Sequence, residues 1–233
     1  MGRSKDLATG TFTTALDVQG AITSDGLTVD TSDQVIINHS GDAGGLRIDS
    51  TNNTNTGSIR FGDVADNYIG AVEYNHTSDA LSFYANNATR MTINSSGHVT
   101  KPNQPHFFAN RGGLNNEQRN GNVNYNVIRD TESAWNSTNH QYTIPTTGVY
   151  HFGFNNISHT GISTSHTDIR LQYVRSGTTY SIAYAYQTND SLHEQTNLSI
   201  THYLQANDLV QLYNYGGVVY AGDYNTFSIC LVG

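Results

Sequence analysis

Basic residues are scarce in this chain of 233 residues: 11 Lys and Arg stand against 19 Asp and Glu, for a formal net charge of -8. Phosphate contacts need clustered cations, so no nucleic-acid partner is expected. Cysteine is scarcer still. Cys230 stands alone, which rules out an intrachain disulfide, and in the run Phe227-Ser228-Ile229-Cys230-Leu231 it reads as a small buried residue rather than a nucleophile. No apolar run approaches the roughly 18 residues of a spanning helix, and none follows the opening MGRSK. The expectation is a chain made in the cytoplasm without a cleaved leader and without membrane insertion. Charged residues reach only 13%, about half the ~25% usual in soluble domains.

What fills the sequence instead is Gly, Asn, Thr, Ser and Tyr. Thr and Tyr suit pleated surfaces and Asn and Gly suit turns, so the chain is predicted to be all-β, with a solvent face of hydroxyls and amides. From Ala15 to Val99 the apolar residues come in brief pairs: Leu16/Val18, Leu27/Val29, Val35/Ile37, Leu46/Ile48, Ile59/Phe61, Val72/Tyr74, Leu81/Phe83 and Met91/Ile93. Each pair marks a strand too short to build a core alone. A thin meander of this kind buries its apolar face only against a stack of itself or against identical chains, which predicts an oligomeric, most simply homotrimeric, fibre.

The segment Thr100-Lys101-Pro102-Asn103-Gln104-Pro105 holds two of the three prolines. Proline interrupts strand ladders, so a short stiff linker is predicted there. Beyond it the strands lengthen: 168–174, 179–187, 197–204, 209–215 and 225–232 are expected, enough for one β sandwich. In DIRLQYVR, Ile169, Leu171 and Tyr173 share one face, and Val210 and Leu212 do the same in DLVQLYNY. In YTIPTTGVYHFGF, Pro145 fixes its φ, Gly148 permits a sharp re-entry, and Tyr150, Phe152 and Phe154 point inward, with Phe227 in the same core. Val149 and His151 fall on the opposite face.

Two resemblances rest on these residues. LDVQGAITSDGLTVD and MTINSSGHVTKP resemble the degenerate repeats of bacteriophage tail-fibre shafts, in which an apolar-X-apolar strand meets a Ser/Gly turn. Phe108-Ala109-Asn110-Arg111, the set Pro145, Gly148, Tyr150 and Phe152, the set Leu204, Asp208 and Val210, and the closing Phe227, Ser228 and Leu231 resemble, in order, the landmarks of complement component one q heads and their tumour-necrosis-factor-like relatives. The second resemblance implies a ten-stranded jelly-roll sandwich that assembles as a homotrimer. The expected organisation is an attachment or linker segment over 1–14, a trimeric β-rich shaft over 15–105 ending in the Pro-rich linker, and the jelly-roll head over 106–233.

No catalytic or metal constellation is expected. His159, His166, His193 and His202 lack paired ligand spacing, and Asp190 and Glu194 share a loop with nothing to anchor them as a glycosidase pair. Neither enzyme activity nor a cofactor or metal is predicted. Aromatics amid amides suit sugars, which stack on Trp and Tyr while amides and carboxylates take their hydroxyls. Trp135, in a polar segment without alternation, and Tyr215, Tyr220, Asp223 and Tyr224 are the candidate receptor-binding residues. His151 and Val149 are the candidates for the trimer interface, and Tyr180, Tyr184 and Tyr186, read on one face with Ile182, are assigned to core or interface. The resulting expectation is a phage tail fibre on the virion. Its N-terminus would join other tail proteins, and its distal head would bind a host-surface glycan or protein. The alternative is a head fibre or connector whose head only drives trimerisation.

Overall fold

Alternating polar and apolar residues, punctuated by Asn and Gly, produce sixteen strands and no helix among the described residues of the computed structural model, which are 48, 55–115, 120–159, 166–188 and 193–233. The proposed attachment segment 1–14 and the repeat Leu16 to Asp30 lie outside them. Two units are distinguished, Met1–Asp49 and Ser50–Gly233, and the account below concerns the second.

Its first part is an antiparallel meander of β1 (Thr56–Phe61), β2 (Gly70–Asn75), β3 (Ala80–Ala85), β4 (Ala88–Ile93) and β5 (Val99–Thr100), in that spatial order. The register aligns the apolar pairs into two rows on one face, Ile59-Val72-Phe83-Met91 and Tyr74-Leu81-Ile93-Val99. The other face is polar. There Glu73 accepts hydrogen bonds from the Tyr68 and Tyr84 hydroxyls at 2.9 and 3.5 Å, and Ser82 and Thr92 share one at 3.3 Å. Asn86 and Asn87 close the β3–β4 hairpin with φ of 52° and 54°, the two left-handed positions of a type I′ turn, where Asn is tolerated. No described element covers the apolar face. Ile59 and Phe61 are 45% and 60% exposed.

Residues 101–105 form no strand, as the two prolines predict, but they are pinned to the end of the chain. The Leu231 amide donates to the Pro105 carbonyl at 3.0 Å, and the Gln104 side-chain amide donates to the Leu231 carbonyl.

The head follows as β6 (His106–Arg111), β7 (Gly121–Asn122), β8 (Asn126–Asp130), β9 (Trp135–Asn136), β10 (Gln141–Thr143), β11 (Gly148–His159), β12 (His166–Arg175), β13 (Thr178–Thr188), β14 (His193–Leu204), β15 (Leu209–Gly216) and β16 (Gly222–Leu231). The strand orders are β13-β12-β15-β10-β9 in one sheet and β14-β11-β16-β6-β8 in the other. Ten strands in two antiparallel layers, with long connections crossing between layers, make a jelly roll; the two-residue β7 is an addition on β15. All five strands foreseen after the linker are present to within a few residues.

The core between the layers contains Tyr150, Phe152, Phe154, Val210, Leu212 and Phe227, each 3% exposed or less. Each such side chain contributes about 1.5–3 kcal/mol by burial. Phe107 sits among rings, with centroids of Trp135, Tyr142 and Phe227 at 5.1, 5.2 and 5.8 Å.

The sequence landmarks acquire physical reasons here. Tyr150 donates its hydroxyl to the Thr146 carbonyl at 2.7 Å, tying strand β11 back to the Pro-Thr-Thr-Gly break. Gly148 does not adopt a left-handed φ, which corrects the reason given for it above. Its role is close approach: a Cβ there would meet Leu231 Cδ1 at 2.6 Å and the Gly233 carbonyl oxygen at 2.7 Å. Arg111, fully buried, donates from Nε to the Tyr220 carbonyl at 3.2 Å and from its two terminal nitrogens to the carbonyls of Asn124 and Asn115, each at 2.6 Å. Asp208 takes a bidentate fork from Arg175 at 2.8 and 2.6 Å and also accepts the Gln205 amide at 2.8 Å, locking two hairpins together.

Candidate functional site

The period of two along β11 places Val149, His151 and Gly153 on the outward face of the β14-β11-β16-β6-β8 sheet. His151 lies opposite Thr201 on one side and Cys230 on the other, and Cys230 lies opposite His106. Cys230 is therefore half-buried on a sheet surface rather than in the core expected for it. The outward and inward residues of β16 are both apolar or small, so the sequence pattern could not separate them. His151 Nε2 shares a hydrogen bond with Ser199 Oγ at 2.9 Å. Gly153 accepts Ser228 Oγ at its carbonyl at 3.2 Å, and a Cβ at Gly153 would stand 2.9 Å from that oxygen. The centre of this face is thus flat.

At one end of the face Val149 and Tyr203, paired in register, are 37% and 54% exposed. From the Val149–Tyr203 row to the Gly153–Ser228 row, Arg129 beside Phe108 is the one permanently charged residue among those described. Burial, and then the Arg129 charge, lower the pKa of the His106 imidazole below its ordinary value.

The opposite layer has a different chemistry on its outside. Asp168, Arg170 and Gln172 alternate with the buried Ile169 and Leu171 on β12. Arg170 forks onto Asp168 at 3.1 and 2.8 Å, and its guanidinium carbon lies 4.2 Å from the Tyr215 ring centre. The hydrogen bonds that Arg170 donates to Asp168 raise the Arg170 pKa, outweighing burial. Side-chain amides continue the network across strands. Gln172 donates to the Tyr215 hydroxyl at 3.2 Å, Gln211 donates to Gln172 at 3.2 Å, and Gln141 donates to Gln211 at 2.6 Å.

Beside this network stand Tyr184, in register with Arg170, and Tyr186, in register with Asp168, exposed to 69% and 58%. The core half of their assignment with Ile182 is corrected. Leu171 pairs with Ala183 whereas Gln172 pairs with Ser181, leaving Ile182 as an extra residue in β13. The bulge reverses the alternation, so Ile182 and Ala185 pack on the core and Tyr184 and Tyr186 face outward. Tyr180, across from Tyr173 and stacked on it at 5.0 Å, remains near the core edge at 45% exposure.

The receptor candidates do not converge. Trp135, expected to be a free stacking surface, has one ring face on Phe107 and stacks toward His140 at 6.5 Å on a neighbouring contact. It lies on a two-residue strand paired with Tyr142, too short to show any alternation in the sequence. It borders a concavity of ≈ 590 Å³ lined also by Pro145 and Asn207. Tyr220 uses its carbonyl to hold Arg111 and Asn225. Asp223 accepts Asn110 at 3.2 Å, and Tyr224 is 64% exposed, its carbonyl taking the Asn155 side chain at 2.8 Å. Tyr220 lies just before β16 and Asp223 and Tyr224 near its start, whereas Trp135 packs on Phe107, which pairs with Ile229. Gly222 pairs with Arg111, four residues along β6 from Phe107, about 13 Å at ~3.3 Å each. Of the five, only Tyr215 joins the aromatic and amide network of β12, β13 and β15.

Among the described residues no group of three or more His, Cys, Asp or Glu is placed to hold a metal ion. Asp190 and the side chain of Glu194 lie outside the described residues.

No protein-family model matches the chain, and no curated protein does. Among solved structures it is similar to the globular domain of a zebrafish complement 1qA protein, at 18% identity and a TM-score of 0.46, over 56% of this chain and 98% of that one. It is similar also to Eiger TNF from S. frugiperda, at 13% identity and 0.46, over 55% and 91%. Murine APRIL at pH 5.0 aligns at 9% identity and 0.45, over 55% and 99%.

Proposed function

We propose that the protein is a homotrimeric structural fibre of a virus particle, of bacteriophage tail-fibre type, whose jelly-roll head meets a receptor on the host surface. The observation that carries the reading is a pair of neutral faces left without cover. The meander β1–β5 exposes two aligned apolar rows, and the outward face of the β14-β11-β16-β6-β8 sheet is flat, nearly uncharged and edged by Val149 and Tyr203. Exposed apolar rows of this kind mark contact surfaces, and identical chains wound about one axis cover both at once. In this reading His151 and Val149 lie between protomers, and the role is scaffolding and recognition rather than catalysis. The N-terminal segment joins the fibre to other virion proteins.

The test is the mass of the full chain in dilute buffer by light scattering or native mass spectrometry. Three times the chain mass of 25.5 kDa is expected. A monomer overturns the assembly reading. Binding of the labelled protein to bacterial cells tests the receptor reading separately, and failure to bind any strain of a broad panel, together with malformed particles when the chain is missing, would favour a connector role instead.

A further inference from the structure

We infer that the row of side chains His106, Cys230 and His151 makes association of the head with its own copies sensitive to mild acid; this rests on the reading that the outward face of the β14-β11-β16-β6-β8 sheet packs between protomers, and names what regulates that contact. The three residues stand side by side on neighbouring strands. Cys230 of β16 lies in register with His151 of β11 on one flank and with His106 of β6 on the other, and all three are half-buried on the outward face. Thr201 and Thr131 close the row at its two ends. With strands ~4.8 Å apart, about 10 Å separates the two histidines. Ser199 Oγ, 2.9 Å from His151 Nε2, is the one side-chain partner of that ring among the described residues.

Nothing around the row offers a negative charge. From the Val149–Tyr203 row to the Gly153–Ser228 row, the other titratable or charged residues described on this face are Tyr203 of β14 and Arg129 of β8, and neither is a carboxylate. Asp130 pairs with the inward Phe107, and its carboxylate takes the amides of Glu132 and Trp135. The segment 101–105, pinned to Leu231, carries one charge, Lys101, which is also positive. Burial and the Arg129 charge already act against a proton on His106.

The occupant of the face is a second copy. Each chain carries a net charge of -8, so copies repel one another except through a surface free of carboxylates, which this one is. His106 opens β6 directly after the segment that arrives from the meander, so copies that cover the meander's apolar rows reach the head at this end of the face. Between neutral rings the contact buries no charge. A proton on either histidine adds a cation that no carboxylate on the face can pair, and three copies bring six such rings together. The assembled state therefore binds fewer protons than separated copies. Association is full above the ordinary imidazole value of about 6.5 and weakens as pH falls below it. With one proton taken up per copy on separation, the association constant falls by up to about a thousandfold per pH unit there.

The experiment follows the full chain through a dilution series between neutral pH and about pH 5.5, with mass by light scattering and strand content by circular dichroism. A trimer dissociation constant at least about a hundredfold higher at the acid end, with strand content unchanged, is the expected result. His106→Gln combined with His151→Gln keeps neutral polar side chains at both positions and is expected to abolish the change. The slope of the logarithm of the association constant against pH counts the protons with no substitution at all, and decides the matter should the double variant fail to assemble; a slope below about one proton per trimer overturns the inference. A wild type equally trimeric at both ends of the range overturns it while leaving the trimer reading in place. A double variant that dissociates over the same range as the wild type assigns the sensitivity to other groups and overturns it too. Dissociation that comes with loss of strand content overturns it in favour of plain acid unfolding. A wild-type monomer at every pH overturns the switch and the trimer reading together.

Discussion

Replacing Arg111 by Met should cost this fold more than almost any other single change in the head. The side chain is fully buried, and its three donor groups hold carbonyls from three separate connections: Asn115 after β6, Asn124 before β8, and Tyr220 between β15 and β16. Hydrogen bonds from a charged donor contribute about 1.5–3 kcal/mol each net. Three at the lower figure give roughly 4.5 kcal/mol, and partial rehydration of the released carbonyls brings the expected loss to about 4 kcal/mol. Methionine keeps most of the volume, so the cavity contribution is small. Lysine keeps the charge but not the fork, and is expected to recover only about one of the three bonds.

Against a total stability of about 5–15 kcal/mol, a loss of that size should lower the thermal midpoint by roughly 15 °C. The assay is thermal unfolding followed by circular dichroism at fixed protein concentration, because the midpoint of an associating chain depends on concentration. A Met variant within about 3 °C of the wild type would refute the view that this buried cation organises three loops.

The remaining predictions concern charge and assembly. In Asp208, burial opposes ionisation, but the Arg175 fork and the Gln205 amide outweigh it and hold the carboxyl below its ordinary value. Its stabilising contribution is therefore present above the unfolded value of 3.8 and lost as pH falls through the folded one; Asp208→Asn should lower stability at pH 7 and flatten the acid limb of a midpoint-against-pH curve, and an unchanged limb would count against it. His106 has its folded pKa lowered by burial and by Arg129, so the folded state disfavours the proton. Stability should fall as pH drops below the unfolded value of 6.5, and His106→Gln should remove that slope in the same measurement. Val149→Glu places a charge on the neutral sheet face while leaving the core untouched, and should shift the mass distribution from trimer toward monomer with strand content unchanged by circular dichroism. A variant as trimeric as the wild type at all concentrations would exclude that face from the interface.

The parts of the structure visible in the sequence are those governed by a period of two maintained over several residues. Tyr150, Phe152 and Phe154 sit in the core because β11 runs regularly through them, and the pairs Val72/Tyr74 and Leu81/Phe83 align because each strand of the meander is short and straight. Where one residue is inserted, the reading inverts. Ile182 is such a residue, and a second irregularity between Asp168 and Ile169 places Tyr215 beside Arg170. No side chain announces a bulge, so plain alternation puts Tyr184 and Tyr186 on the face of Ile182, whereas the bulge turns them outward. The packing of Trp135 was hidden for a different reason: its strand has two residues, and its partial burial depends on Phe107, 28 positions earlier in the chain. The amide ladder had a weak signal, since Gln172 and Gln211 occupy polar positions within apolar alternation, but their mutual contact depends on the pairing of β12 with β15.

The stapling of residues 101–105 alongside the last strand has a mechanical consequence. Tension carried along the chain from the meander enters the head at His106, the first residue of β6, and β6 is an interior strand with β16 on one flank and β8 on the other. A pull along its axis loads the ladder bonds on both flanks in shear, together, instead of opening them one at a time from an edge. The Gln104 and Pro105 contacts to Leu231 add a clip at the point where the load arrives. A head joined in this way resists detachment by force even where its equilibrium stability is ordinary, because forced unfolding follows the height of the barrier to opening.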